Sequence, residues 1–168
     1  MTAGFEIRAL SGEHDRRGFA SGSEPLDRYF REFATQDVMR RLSNCFVAVA
    51  DTGVIAGYYT FAATGVPLSE LPAEEARRLP RYPLVPAGLI GRLAVDLAYK
   101  GRGLGAALVM NAAARAARAD PAIFAIIVEA KDDSAVAFYE HLQFRRFASR
   151  PMTLFLPLAT ALAAMGEK

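Results

Sequence analysis

The chain of 168 residues has no tryptophan, one cysteine and two histidines. Each scarcity closes off a class of chemistry. The lone thiol, Cys45, cannot make an internal disulfide, which excludes the framework of a small secreted domain. It sits in the apolar run from Cys45 to Ala50 and is expected in the core of a protein from a reducing cytoplasm. His14, His141 and Cys45 make no metal cluster, so no metal is expected. No apolar run reaches membrane-spanning length, and the start Met1 to Glu6 carries no apolar signal segment. A cytoplasmic protein without membrane contact is the expectation. An excess of one charge is also missing: 20 Lys plus Arg against 18 Asp plus Glu leave only +2, so the whole-chain balance says little about a polyanionic partner. There is no internal repeat and no low-complexity linker.

What is abundant is apolar: 52% of the residues, above the usual range. An apolar surface covered by a partner, including a second copy of the chain, follows from that excess. The length suffices for one domain, residues 1–168, with a core that needs no staples. Residues 5–10 form a short strand. Residues 25–42 are helical, with Leu26, Tyr29, Phe30 and Phe33 on one face. Residues 45–50 and 54–63 are strands joined by a hairpin at Asp51-Thr52-Gly53. A charged helix is expected over 69–79, followed by breaks at Pro80, Pro83 and Pro86. Then come strand 87–95, helix 104–119, strand 122–128, a helix around Tyr139 and a last strand over 146–156. Residues 159–168 are expected to fray or to pack on a partner. The order is α/β in composition, a mixed α+β sheet flanked by helices.

The most informative stretch runs from Gly91 to Asn111. A buried strand, Leu93-Ala94-Val95, stops at Asp96. A basic glycine turn follows, Lys100-Gly101-Arg102-Gly103-Leu104-Gly105-Ala106, and an alanine-rich helix begins there. First-turn amides of a helix lack intrahelical acceptors and carry the positive end of the dipole. Glycines admit an anion close to the backbone. The combination is a pyrophosphate cradle. It is not a P-loop, because Lys100 precedes the glycines and no Ser or Thr follows. It also lacks the G-x-G-x-x-G spacing of a dinucleotide fold.

The spacing Lys100 to Ala106 resembles the acetyl-coenzyme A loop of the GCN5-related N-acetyltransferases (GNAT). A second match lies downstream. Ser134, Ala137, Phe138, Tyr139 and Phe144 fit the superfamily pattern S/N-x-x-A-x-x-F-Y-x-x-x-G-F, with Gln143 standing where that pattern has Gly. The resemblance implies a GNAT fold whose strands splay at the acetyl-CoA site. Leu93, Ala94 and Val95 would bind pantetheine and thioester, with Ser134 and Phe138 also at the cofactor. Tyr139 would donate a proton to the leaving thiolate, as general acid catalysis requires. The segment His14 to Phe30 is similar to the opening H-D-R-x-x-F-x-x-G-x-x-x-L-D-x-Y-L of the toxin acetyltransferases of bacterial toxin–antitoxin pairs. That resemblance, over roughly residues 5–157, implies acetylation of the α-amine of aminoacyl-tRNA, arrest of translation, and silencing by a ribbon-helix-helix antitoxin, through which alone DNA would be met. A homodimer is expected.

An α-amine has a pKa near ~7.7–8.0 and needs little help from a base, whereas a lysine amine near ~10.4 must be deprotonated. No dedicated base is obvious beside the strand end: Asp96 and Glu129 are candidates, each equally readable as a solvated strand-end charge. Arginines cluster at Arg40-Arg41, at Arg77-Arg78-Arg81 and at Arg145-Arg146-Arg150, and such patches suit phosphate contacts. Arg40, Arg41, Arg77, Arg78 and Arg92 are the candidate RNA contacts. Against this, Glu70, Glu74 and Glu75 can pair with Arg77 and Arg78, and Arg92 can reach a core carboxylate. Three functions stay open: a toxin acting on charged tRNA, an N-acetyltransferase of a small amine or a protein N-terminus, and an idle acyl-CoA-binding partner.

Overall fold

In a computed structural model the described residues are 4–166. The elements in order are β1 (Phe5–Ala9), α1 (Glu24–Glu32), α2 (Ala34–Met39), β2 (Asn44–Ala50), β3 (Ile55–Pro67), α3 (Ala73–Ala76), β4 (Leu84–Val95), α4 (Leu104–Arg118), β5 (Ala125–Glu129), α5 (Asp133–His141), β6 (Arg145–Arg146), β7 (Thr153–Pro157) and α6 (Leu158–Ala164). Two 3-10 turns, Leu68–Glu70 and Leu97–Tyr99, precede α3 and α4. The strands make one seven-stranded mixed sheet in the order β1-β2-β3-β4-β5-β7-β6, with β4 and β5 parallel. The mixed α+β class read from the sequence is the class that forms. The expected fraying tail is helical through Ala164, while Glu167 and Lys168 lie outside the described residues. Among the described residues no helix is long and apolar enough to cross a membrane.

Two compact units can be distinguished, one of residues up to Ala62 with Gly91–Ala112, the other of Ala63–Ile90 with the chain from Ala113 on. In the first, β1, β2 and the start of β3 form an antiparallel meander, with a register shift at Ala48/Val49. Its core is aromatic. Phe30 stacks on Tyr58 with centroids 4.3 Å apart, and Phe19 meets both edge-on at 5.0 and 5.6 Å. Burying each such ring contributes about 1.5–3 kcal/mol. Cys45 is buried there, and burial pushes its thiol up to about 12, so it is inert at neutral pH.

The helix expected over 25–42 is broken at Phe33, the C-cap of α1 and N-cap of α2. No proline or glycine marks the break. Its consequence is a contact: the Tyr29 hydroxyl donates to the Asp37 carboxylate at 2.6 Å. In an unbroken helix those residues would lie about 12 Å apart along the axis.

In the second unit β5 pairs with β4 from Ala87↔Ala125 to Ile90↔Val128, and with β7 on its other side. Val66, Leu71, Ala87, Ala125, Ile127, Phe147 and Phe155 form the core. The charged helix expected over 69–79 is a correction: only the 3-10 turn and the four-residue α3 form. Pro72 has no N–H and forces Leu71 to an extended ψ of 148°, so a continuous helix is impossible. The last strand is likewise two, β6 and β7, separated by a turn containing Pro151.

The buried Asp27 accepts from the Ser21 amide at 3.0 and 3.1 Å and from the Ser21 hydroxyl at 2.6 Å, fixing the chain that enters α1. Replacing Asp27 by Ala leaves that amide unsatisfied. Urea unfolding of Asp27→Ala is expected to show a loss of about 1.5–3 kcal/mol, the range for hydrogen bonds to a charged group.

Candidate functional site

The glycine turn lies in the first unit. After β4, Asp96 caps the 3-10 turn, its Oδ1 accepting from the Ala98 amide at 2.9 Å. Its Oδ2 accepts from the Ala20 amide at 3.0 Å, and the Leu97 amide donates to the Ala20 carbonyl at 2.9 Å. Both carboxylate oxygens hold backbone, so Asp96 is a clamp on the loop. That role does not fit the base considered for it. Gly101 and Gly103 have φ of +79° and +78°, and nothing lies within 4 Å of where their Cβ atoms would be. Their conformation demands glycine, and their surroundings leave room for a ligand. Lys100, Arg102, Gly101 and Gly103 are exposed, Leu104 is buried, and Gly105 and Ala106 are half-buried in the first turn of α4. Arg102 lies 5.2 Å from the centroid of the Tyr99 ring, which keeps a cation on the loop.

Sequence reasoning missed what seats this loop. A Cβ at Gly57 would come 3.0 Å from the Ala94 carbonyl oxygen and 3.3 and 3.4 Å from Leu108 and Leu104. The missing side chain lets α4 pack closely on β3 and β4. A glycine inside a strand pattern was the available signal.

Tyr139 lies in the second unit, on α5. The Asp132 carboxylate caps that helix, accepting from the Ala135 amide at 2.8 Å. At the other end the Phe144 amide donates to the Tyr139 carbonyl at 3.1 Å and the Gln143 amide to Glu140 at 3.0 Å, a Schellman closure. Gln143 takes the left-handed φ of 79° that the closure requires. The departure from glycine therefore keeps the turn and stores strain in it. The closure places Phe144 against the Tyr139 ring at 5.3 Å, with Phe138 at 5.1 Å on another side. Burial pushes the Tyr139 phenol up to about 12, so it keeps its proton at neutral pH. The hydroxyls of Tyr29, Tyr58 and Tyr59 bond to Asp37, the Leu26 carbonyl and Asn111. That of Tyr139 has no hydrogen-bond partner among the described residues. Phe138 is half-buried, while Ser134 and Glu129 are exposed.

Arg92, in the first unit, does not reach a core carboxylate. Its guanidinium sits 3.5 Å from the centroid of the Tyr29 ring, and its amide donates to Thr60 Oγ1 at 3.0 Å. Tyr29 is anchored through Asp37, a link that spacing alone could not reveal; burial and that bond hold its phenol above the ordinary value. Arg40 and Arg41 are exposed at the end of α2, where Arg41 has φ 61°. In the second unit Arg145 takes Glu74 and Glu75 at 2.7 and 3.1 Å, and Arg146 takes Glu140 at 3.0 Å. Glu70 bonds the Ser149 hydroxyl at 2.7 Å and lies 3.9 Å from Arg150. The pairing considered for Arg77 and Arg78 thus goes to the third cluster, which is neutralised. Arg77, Arg78 and Arg81 are exposed and have no ion pair among the described residues.

The glycine turn at the start of α4, in the first unit, and the protonated Tyr139 on α5, in the second, are each of the kind expected from an acetyl-CoA-dependent N-acetyltransferase. Residues 9–144 match the Acetyltransferase (GNAT) family, and the chain belongs to it. It is 36% identical over 162 residues to a tRNA-acetylating toxin of Mycobacterium tuberculosis, covering 95% of this chain and 96% of that one. It is 28% identical over 163 residues to the probable toxin TacT of Sinorhizobium fredii, covering 91% and 90%. Among solved structures it is similar to a tyrosine-to-phenylalanine mutant of KacT, with TM-score 0.86, 26% identity and coverage of 95% and 98%. It is also similar to AtaT complexed with acetyl-methionyl-tRNAfMet, with TM-score 0.86, 25% identity and coverage of 96% and 99%.

Two substitutions test the turns. Gly103→Val forces a β-branched residue to positive φ, at a cost of about 1–2 kcal/mol, and fills the cradle. Calorimetry is expected to show acetyl-CoA affinity lowered at least about tenfold, the equivalent of ~1.4 kcal/mol. Gln143→Gly relieves the left-handed strain at the end of α5. Thermal unfolding is expected to show a gain of about 0.5–1 kcal/mol, the strain less glycine's extra chain entropy.

Proposed function

We propose that this chain, acting as one N-acetyltransferase domain over residues 1–168, transfers acetyl from acetyl-CoA to the α-amine of an aminoacyl-tRNA and thereby stops translation. The observation that carries the chemistry is the buried side chain of Tyr139, whose hydroxyl is protonated and unengaged. The amine nitrogen bonds the thioester carbonyl carbon and the C–S bond breaks. The thiolate takes the Tyr139 proton, and the proton lost by the amine passes to water and restores the phenol. No strong base is needed, because an α-amine near ~7.7–8.0 is substantially neutral at physiological pH. With Asp96 occupied by two amides, an acceptor of that kind suits this chain better than a lysine side chain.

Lys100 to Ala106 hold the pyrophosphate, while Leu93, Ala94 and Val95, with Ser134 and Phe138, serve the pantetheine and thioester. Arg40, Arg41, Arg77, Arg78 and Arg92 meet the RNA. The relatives named as toxins support an antitoxin partner, here of ribbon-helix-helix type and the only route to DNA. A homodimer covers part of the apolar excess, and the protein works in the cytoplasm.

Purified protein is incubated with labelled acetyl-CoA and, separately, total charged tRNA, a polyamine and a peptide panel. Label is expected on charged tRNA. Label only on a small amine or a peptide would establish the other acetyltransferase function. Tyr139→Phe is expected to lower turnover by roughly 10²–10⁴, the range for general acid catalysis, with acetyl-CoA affinity unchanged. Full turnover in that variant would return Tyr139 to a packing role.

A further inference from the structure

The segment from Arg77 to Leu84, R-R-L-P-R-Y-P-L, holds three arginines and no acid. Tyr82 is 64% exposed and Leu84 55%, beside the exposed Arg77, Arg78 and Arg81. The nearest acids in sequence, Glu74 and Glu75, are held by Arg145, and none of the described residues forms an ion pair with these guanidinium groups. Two prolines flank the ring, and the Tyr82 amide donates to the Pro80 carbonyl at 2.9 Å, a three-residue turn. Proline fixes φ on both sides, so little backbone entropy is lost when a ligand arrives.

We infer that Tyr82 is a base-stacking platform, and that this segment takes unpaired nucleotides, with Arg77, Arg78 and Arg81 on the flanking phosphates. Positive charge alone would suit a duplex equally well. An exposed aromatic ring inside the patch favours a strand whose bases are free to stack. The aminoacylated end of a tRNA is such a strand, so the inference rests on the function proposed above and names the part of the substrate this surface holds.

The test uses the full chain and uncharged RNA, so it does not depend on catalysis. Anisotropy is measured with a short single-stranded RNA and with a duplex of equal length, for the native protein, Tyr82→Phe and Tyr82→Leu. Native protein and Tyr82→Phe are expected to prefer the single strand. Tyr82→Leu is expected to lose about 5- to 150-fold of that affinity, the loss for one stacked base, and to keep its duplex affinity. Replacing Arg77, Arg78 and Arg81 by Glu is expected to weaken both and to flatten their salt dependence. Unchanged single-strand binding in Tyr82→Leu overturns the inference. So does an equal loss on both RNAs, or a changed oligomeric state with RNA binding intact, which would make the patch a protein interface. Acetylation of charged tRNA by native protein is measured alongside. If it fails while Tyr82 still governs single-strand binding, the proposed substrate falls and the platform stands.

Discussion

The close approach at Gly57 is the constraint on which the first unit depends. The Ala94 carbonyl and the Leu104 and Leu108 side chains converge on a point where any other residue would carry a Cβ. Leu104 is the first residue of α4, and Ala94 lies two residues before Asp96. Both ends of the intervening loop are therefore held against β3. The Asp96 clamp then fixes the start of the path by joining it to Ala20. Only within such a frame do two left-handed glycines give one defined cradle instead of a flexible turn.

The same economy governs the acids. Asp27 holds Ser21, Asp37 holds Tyr29, Asp96 holds the loop, Asp132 caps α5, and Glu70, Glu74 and Glu75 are engaged with Ser149, Arg145 and Arg150. Each of these carboxylates is thus committed to holding backbone or a neighbouring side chain. Tyr139 differs from them: burial keeps its phenol neutral, and its hydroxyl has no hydrogen-bond partner among the described residues.

Much of this was legible in sequence, and the failures have local causes. The strands around 45–63 and 87–95, the glycine turn and the capped helix at Tyr139 were evident because apolar run, turn residue and cap agree at each. The helix expected over 69–79 does not form because Pro72, with its missing N–H, overrides a charge pattern that suits a helix. The break at Phe33 carries no composition signal and is expressed only in the contact it permits, Tyr29 to Asp37. Gln143 is instructive in the other direction. The pattern asks for glycine, and the backbone takes the glycine conformation without one, since the Schellman bonds and the Tyr139–Phe144 contact outweigh the strain.

A net charge of +2 conceals how the arginines are deployed. Arg145, Arg146 and Arg150 are matched by carboxylates and contribute to the fold of the second unit. Arg92 is matched by an aromatic face, which leaves its hydrogen-bond donors less committed than a carboxylate would. Arg77, Arg78 and Arg81 are matched by nothing within the described residues. Two clusters alike in sequence thus differ in the free energy they have left for a polyanion. A guanidinium already paired must give up its carboxylate before it can bind a phosphate, whereas an unpaired one gives up only water and a released counterion. It is the allocation of acids, more than the count of bases, that leaves Arg77, Arg78 and Arg81 together and unpaired in one short, proline-stiffened segment.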